Sequence, residues 1–313
     1  MVLLCGVPND SPLQLLIEAL EEAEYPYVFV NQRHFDQMAI RYEWVGGELL
    51  GELTIDRTIY ELQHVTGIYN RAMNYQALPE YGLLAPNDPL RAHAARFHDG
   101  LFGWIEMANC RVLNHGYAMT SNSSKPYQML QIVKAGFGIP PSLMTNQPDE
   151  VPHFQESRGT LIFKSASGVR SIVRELADEY TARLGQIKSC PALFQQKLIG
   201  TNIRVHVVGK RVFAHRIESG YVDYRYAAHN GSTTEMTAYE LPAPITDRCI
   251  RLSESLNLPL AGIDLFETES GDYYCFEVNP SPGFSYFEEH TGQRISLAIA
   301  DYLAGSSYLL PQN

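Results

Sequence analysis

The chain has 313 residues and a formal net charge of −11, from 24 Lys and Arg against 35 Asp and Glu. Its composition, 45% apolar and 19% charged, excludes a mostly disordered chain, and the length suits two domains whose cores need no disulfide staples. The acidic balance excludes general binding to nucleic-acid backbones, but it leaves room for one nucleotide held by local basic groups and metal ions.

Val2–Val7 reads as a buried first strand rather than a signal peptide, since no basic segment leads into it. Pro12–Glu24 places Leu13, Leu16, Ile17 and Leu20 at helical spacing, and Tyr27–Asn31 reads as a second strand. This β-α-β opening implies a small parallel sheet. Ile40–Ile55 alternates about Gly46-Gly47 and reads as a hairpin. Gly67–Arg71 is a short strand, Pro79–Pro89 a loop, Arg91–Met107 a helix and Arg111–Asn114 another strand, with a domain boundary near residue 115. Cys5, Cys110, Cys190, Cys249 and Cys275 are scattered, as free thiols of a reducing compartment would be. Cys5 and Cys275 read as small core residues. No apolar stretch reaches the ~20 residues a membrane span needs, so a cytoplasmic protein is expected.

Beyond residue 115 the pattern predicts a helix at Ser124–Ala135 and strands at Ser142–Thr145 and Leu161–Ser165. The small-residue loop Ser165-Ala166-Ser167-Gly168 follows, then a helix at Ser171–Leu184 carrying Ile172, Val173, Leu176 and Tyr180. Ala192–Leu198 is a strand. Ile203–Val208 and Arg211–Ile217 form a hairpin about Gly209-Lys210, Thr246–Leu256 is a helix and Ile295–Leu303 closes the chain as another. The mix is α+β, without internal repeats.

One hairpin, Gly262–Thr268 with Tyr273–Asn279, carries the chemistry. A two-residue turn at Ser270-Gly271 would set Asp264 opposite Glu277 and Gly262 opposite Asn279. Both acids then share one face, while Ile263, Leu265, Tyr274, Phe276 and Val278 form the core face. Directly opposed like charges destabilise a sheet unless something compensates. Mg²⁺ is a hard cation that takes carboxylate and amide oxygens and completes its shell with water and phosphate. The alternative is a solvated charged face.

These residues and their order resemble the ATP-grasp superfamily, within it the RimK-type ligases and the graspetide (microviridin-type) peptide ligases. The resemblance rests on Ser124-Lys125, Ile162-Phe163-Lys164, Phe194-Gln195-Gln196-Lys197-Leu198, Thr201-Asn202-Ile203-Arg204-Val205, Asp223-Tyr224-Arg225 and Asp264 with Glu277 and Asn279. It implies an ATP-grasp fold, two α+β subdomains (116–195 and 196–313) clasping ATP, behind an N-terminal α/β pre-ATP-grasp domain over 1–115. Lys125 and Lys164 would neutralise the phosphates, Ser167 and Gly168 would cover them, and Gln196, Lys197 and Leu198 would meet adenine through backbone groups. Asn202 would lie near the ribose, where RimK-type chains usually have Asp. Arg204 would stabilise the transferring phosphoryl group, with a structural ion pair as the alternative, and Arg225 would meet the terminal phosphate, although Ala227 stands where that branch often has Asn. Asp264, Glu277 and Asn279 would hold two Mg²⁺ ions, with Mn²⁺ as an alternative. Arg170, His206 and Arg216 are candidates for substrate contact; for Arg170 and Arg174 a helix-surface role competes, and for His206 and His215 a structural one.

The implied chemistry is ligation: ATP phosphorylates a carboxylate, and an amine or hydroxyl displaces phosphate from the acyl phosphate. A peptide is the first-choice substrate and an amino acid the runner-up, in a homo-oligomer that binds neither nucleic acid nor membrane. A non-catalytic ATP-binding regulatory module and a small-molecule kinase are the rival readings.

Overall fold

A computed structural model describes residues 1–165, 173–218 and 235–305. The chain opens with β1 (Val2–Gly6), all five residues buried, and a helix over Ser11–Glu22. The Asp10 carboxylate caps that helix by accepting from the Leu13 N–H at 3.1 Å, and the helix buries Leu13, Leu16 and Leu20. β2 (Tyr27–Asn31) follows, then an antiparallel three-stranded sheet of β3 (Met38–Val45), β4 (Glu48–Ile55) and β5 (Thr58–Glu61). The β3–β4 hairpin turns at the expected Gly46-Gly47, whereas β5 was not anticipated. β6 (Gly67–Asn70) and β7 (Arg111–Leu113) complete a parallel sheet ordered β2-β1-β6-β7. The 79–89 segment, read as loop, contains one helical turn at Pro79–Gly82.

A second sheet, antiparallel throughout, comprises β8 (Ser142–Thr145), β9 (Leu161–Ser165), β10 (Arg174–Glu175) and β11 (Ala192–Gln196), in the order β10-β9-β11-β8. A helix over Glu150–Arg158, absent from the sequence reading, packs Val151 beneath it. The expected helix over Ser171–Leu184 is a correction: Arg174–Glu175 pairs with β9, Asp178–Thr181 is one helical turn, and Leu184–Ser189 is a 3₁₀ segment. Leu176 and Tyr180 still pack on Leu161 and Phe194, so the apolar spacing is satisfied by strand pairing instead of a helix face.

The third sheet has β12 (Gly200–Val208), β13 (Arg211–Glu218), β14 (Glu235–Tyr239), β15 (Leu260–Thr268) and β16 (Tyr273–Asn279), ordered β14-β13-β12-β15-β16. One face buries Ile203, Val205, Val207, Ile263 and Leu265 under the helix Ala243–Ser255. On the other, Val208, Ile217 and Leu260 join Phe284, Phe287 and the helix Ile295–Ala304 in a cluster that also holds Leu4, Leu13 and Leu16. The first and last segments of the described chain thus share one core.

The chemistry-bearing hairpin differs from expectation in an instructive way. Its turn has three residues, closed by Thr268 N–H to Asp272 O at 3.0 Å, with Gly271 left-handed at φ +81°. That shifts the register by one residue, pairing Leu265 with Cys275 and Phe266 with Tyr274. A β-bulge at Phe276 then restores it, so that Asp264 faces Glu277 and Gly262 faces Asn279. The two departures cancel at the acids but not before them. Cys275, not Tyr274 or Phe276, is the core residue, and the Phe276 ring lies 5.4 Å from that of Phe266 on the opposite face.

Buried side-chain amides tie the layers together by imitating strand pairing. Gln128, on the helix Lys125–Lys134, donates to the Val278 carbonyl (2.7 Å) and accepts from the Val278 N–H (2.9 Å). Gln32 does the same with Met73 (3.0 and 2.8 Å). Asn114 donates to the carbonyls of Leu260 and Pro280, both at 2.6 Å, and accepts from the Leu260 N–H at 3.1 Å. It therefore closes the open end of the β15–β16 hairpin. Asn114→Ala leaves these buried groups without their partner, and a loss of about 3 kcal/mol in chemical denaturation is expected.

Candidate active site

On the face of the third sheet that carries Asp264, the register lines up one row across four strands: His215 on β13, Arg204 on β12, Asp264 on β15 and Glu277 on β16. Lys125, at the first turn of the helix that Gln128 clips to β16, closes the row, its Nζ 3.6 Å from Glu277 Oε2. Arg204 Nη1 donates to Asp264 Oδ1 at 2.7 Å. The opposed acids are thus flanked by one cation on each side. This is the compensation that a like-charged cross-strand pair requires.

Arg204 is itself constrained. It is 7% exposed, and its guanidinium lies 5.8 Å from the Phe287 ring centroid. Below it, a Cβ on Gly262 would come within 2.2 Å of Nη2 and 2.7 Å of Cζ. Gly262 is therefore the space in which Arg204 reaches Asp264. In the next row His206, a candidate for substrate contact, is wholly buried, as is His215. His206 Nδ1 lies 3.4 Å from His215 Nε2, His206 Nε2 lies 3.3 Å from the Gly283 carbonyl, and Phe287 packs on both rings. Burial of His206 fits the structural reading of this ring rather than substrate contact. Burial, reinforced by the Arg204 charge, holds His206 well below the ordinary imidazole range and lowers His215 to about 4.

Arg216 lies on the opposite face, paired across the strand with Ile203, and its guanidinium is ion-paired to Glu267 and stacked 4.5 Å from the Tyr239 ring centroid. The structure does not bring it to the acids. Asn279 sits beside the row, and its Oδ1 accepts from the Ser281 N–H at 3.0 Å. One lone pair remains for a further partner. Asn202 occupies the same face one row beyond Arg204, between Ile217 and Phe266.

Lys164 belongs to the second sheet, on β9 opposite Leu193, and is 9% exposed. It lines a cavity with Arg174 and Arg183 among mostly apolar residues, Phe163, Leu176, Ile187 and Phe194. Arg174 donates to the Tyr180 hydroxyl. The expected strand over Ala192–Leu198 ends at Gln196, and 197–199 link the second sheet to the third. The N–H groups of Gln196 and Lys197 donate to Pro141 O (3.0 Å) and Thr160 O (2.8 Å), and the Lys197 ammonium pairs with Glu175 at 2.7 Å. These donors are taken, so of the three hinge residues Leu198 is the one whose N–H makes no backbone–backbone hydrogen bond among the described residues. Ser167, Gly168, Arg170 and Arg225 lie outside the described residues.

Sequence reasoning missed Gln128, Asn114, Gly262 as a receptacle and Phe287. Each acts through a contact distant in sequence, and an isolated amide or phenylalanine carries no local pattern. Only the Lys125-to-Gln128 spacing, one helical turn, hinted that they share a face.

Among the described residues no group of three or more His, Cys, Asp or Glu is placed to hold a metal. Two carboxylates and an amide oxygen are what this row supplies. Their hard oxygen chemistry fits Mg²⁺, which ordinarily takes one or two protein carboxylates and completes its shell with water and phosphate. Among the described residues no helix is long and apolar enough to cross a membrane.

The RimK-like ATP-grasp domain model matches residues 120–303. A protein of Vibrio atlanticus described as a probable alpha-L-glutamate ligase is 23% identical over 239 residues, covering 73% of this chain and 78% of that one. Among solved structures, a Chryseobacterium gregarium RiPP-associated ATP-grasp ligase in complex with ADP and a leader and core peptide superposes with a TM-score of 0.83 at 21% identity, covering 98% of this chain and 97% of its own. The macrocyclase MdnC of Microcystis aeruginosa, bound with its precursor peptide MdnA, gives a TM-score of 0.77 at 23% identity, covering 97% and 99%. These likenesses establish the ATP-grasp fold.

The geometry yields a prediction about acid and one about space. His206 and His215 are neutral in the fold, whereas the unfolded chain protonates them near the ordinary value of ~6.5. Their contribution is present above that pH and is lost as the pH falls below it, through about 4 for His215. Denaturation at pH 5 should show about 2 kcal/mol less stability per ring than at pH 7.5, and a variant with both rings replaced by Gln should lose that part of the slope. Gly262→Ala should displace Arg204 and leave Asp264 without it, costing about 3 kcal/mol in the same assay.

Proposed function

The chain belongs to the RimK-like ATP-grasp family, and on that footing we propose that it is an ATP-dependent ligase joining a carboxylate to an amine or hydroxyl through an acyl phosphate, with a peptide as substrate. The observation that carries the reading is the Asp264–Glu277 pair, set face to face by a bulge and flanked by Arg204 and Lys125. Such an arrangement suits a metal-bound polyphosphate.

In this reading the γ-phosphoryl group passes from ATP to a carboxylate oxygen of the substrate, releasing ADP. The amine or hydroxyl then attacks the acyl carbon, phosphate departs with the acyl C–O bond, and the nucleophile loses its proton. The protein's work is positioning and charge neutralisation. Arg204, held by Gly262 and Phe287, presents a planar cation beside the phosphoryl group, and Lys125 and Lys164 supply point charges to the phosphate tail. Asp264, Glu277 and Asn279 would hold Mg²⁺, two ions in the full site, which neutralises phosphate charge when bound. Lys197 O and Leu198 N–H would meet the adenine edge. No residue here needs to act as a nucleophile.

A peptide substrate is supported by the likeness over nearly the whole chain to ligases solved with precursor peptides. Addition of an amino acid is the second reading, supported by relatives described as probable glutamate ligases. ADP release measured against peptides, carboxylates and amines, with product masses, tests both. Loss of one water per bond within a peptide supports the first reading, and gain of an amino-acid residue supports the second. Gain of phosphate alone, or no ADP with any acceptor, would falsify ligation. Asp264→Asn and Glu277→Gln should each lower ADP release by at least about a hundredfold while the circular-dichroism spectrum of the native protein stays unchanged.

A further inference from the structure

We propose that Lys125 is a resident counter-ion of the metal site, exchanged from Glu277 to phosphate when nucleotide arrives, so that the divalent cation enters with its nucleotide and not alone. The proposal rests on the Mg-nucleotide reading of this site and adds the order in which its charges are satisfied.

Three observations carry it. First, among the described residues the row is balanced: Arg204 and Lys125 are set against Asp264 and Glu277, at 2.7 and 3.6 Å. A dication arriving alone would add two positive charges beside two cations already in place, in a half-buried setting where screening is weak. Arriving with phosphates, it brings the negative charge to which Lys125 can turn. Second, the row offers two carboxylates and one amide oxygen that is already engaged by the Ser281 N–H. That is well short of the roughly six oxygens Mg²⁺ takes, so an ion arriving alone would rely on neutral waters, whereas nucleotide phosphate supplies charged oxygens.

Third, the two cations differ in freedom. The Arg204 guanidinium is confined by Gly262 below it and Phe287 beside it, and its side chain is 8% exposed. The Lys125 side chain, 12% exposed, is nearly as buried, but its ammonium stands 3.6 Å from Glu277 on a flexible stem, at the first turn of a helix whose position is set by the two Gln128 hydrogen bonds to Val278, one residue beyond Glu277. The backbone is held while the ammonium can swing. Lys125 is therefore the member that exchanges, and Arg204 stays on Asp264.

The test is Mn²⁺ binding to the whole protein, followed by calorimetry or the paramagnetic resonance of free Mn²⁺, without nucleotide and with ADP. The wild type should bind Mn²⁺ far more weakly alone than with ADP. Lys125→Met should tighten binding of Mn²⁺ alone by roughly tenfold and weaken binding of ADP with Mn²⁺ by a similar factor. Lys125→Arg keeps the charge and should not tighten Mn²⁺ alone. Lys125→Gln provides the same comparison should the Met variant fold poorly. The proposal is overturned if neither neutral variant tightens Mn²⁺ alone, or if the wild type binds Mn²⁺ equally well with and without ADP. A wild type that binds no Mn²⁺ even with ADP overturns the nucleotide reading itself, a different and recognisable failure.

Discussion

Two carboxylates set directly opposite each other on neighbouring strands are the constraint around which the third sheet is arranged. Asp264 and Glu277 repel, and a sheet tolerates that only if cations are supplied from its flanks. Arg204 comes from β12 on one side and Lys125 from a helix docked on the edge strand on the other. Each supply line has its own requirement. Arg204 needs the missing side chain at Gly262 and the Phe287 ring. Lys125 needs Gln128 to fasten its helix to Val278. Behind Arg204, burial and the Arg204 charge keep both imidazoles neutral.

The buried amides give the layers a common logic. A side-chain amide has the donor and acceptor of a peptide group, so it can continue a ladder where no strand is available. Gln128 does this at the edge of β16, and Asn114 at the open end of the β15–β16 hairpin. Asn114 follows β7 of the parallel sheet, so the first part of the chain helps to fix the acids near its end. The Pro280–Phe284 loop is further held by Arg71, bonded to Ser281 Oγ at 3.1 Å and clamped on Asp10 by two bonds of 2.7 and 2.8 Å. The position of the site is thus a property of the joined sheets rather than of one hairpin.

Much of this was legible in the residues. Alternation identified the strands, turn residues identified hairpins, and period two put both acids on one face. The pairing of Asp264 with Glu277 was reached by assuming a two-residue turn and unbroken alternation. The real hairpin has a longer turn and a bulge, whose shifts cancel at the acids. Where they do not cancel, the alternation failed: Tyr274 and Phe276 leave the core face, while Cys275, read as a small core residue, is buried on it. The helix expected over Ser171–Leu184 failed for a related reason. Leu176 and Tyr180 needed burial, and local spacing could not say that an edge strand on β9 would provide it.

The sequence by itself determined the chemical inventory and its order: two acids and an amide on one hairpin, lysines at strand and helix ends, an arginine on a strand, and the ATP-grasp likeness those pieces compose. Such features are local, because side-chain periodicity and turn chemistry act over a few residues. The tertiary structure alone decided which cation faces which acid, that His206 is buried beneath Arg204, that Arg216 points away with Glu267, and that Gln128 and Asn114 hold the geometry. Those are pairings between residues far apart in sequence, and they are settled by register, by the space a glycine leaves and by the need of every buried polar group for a partner.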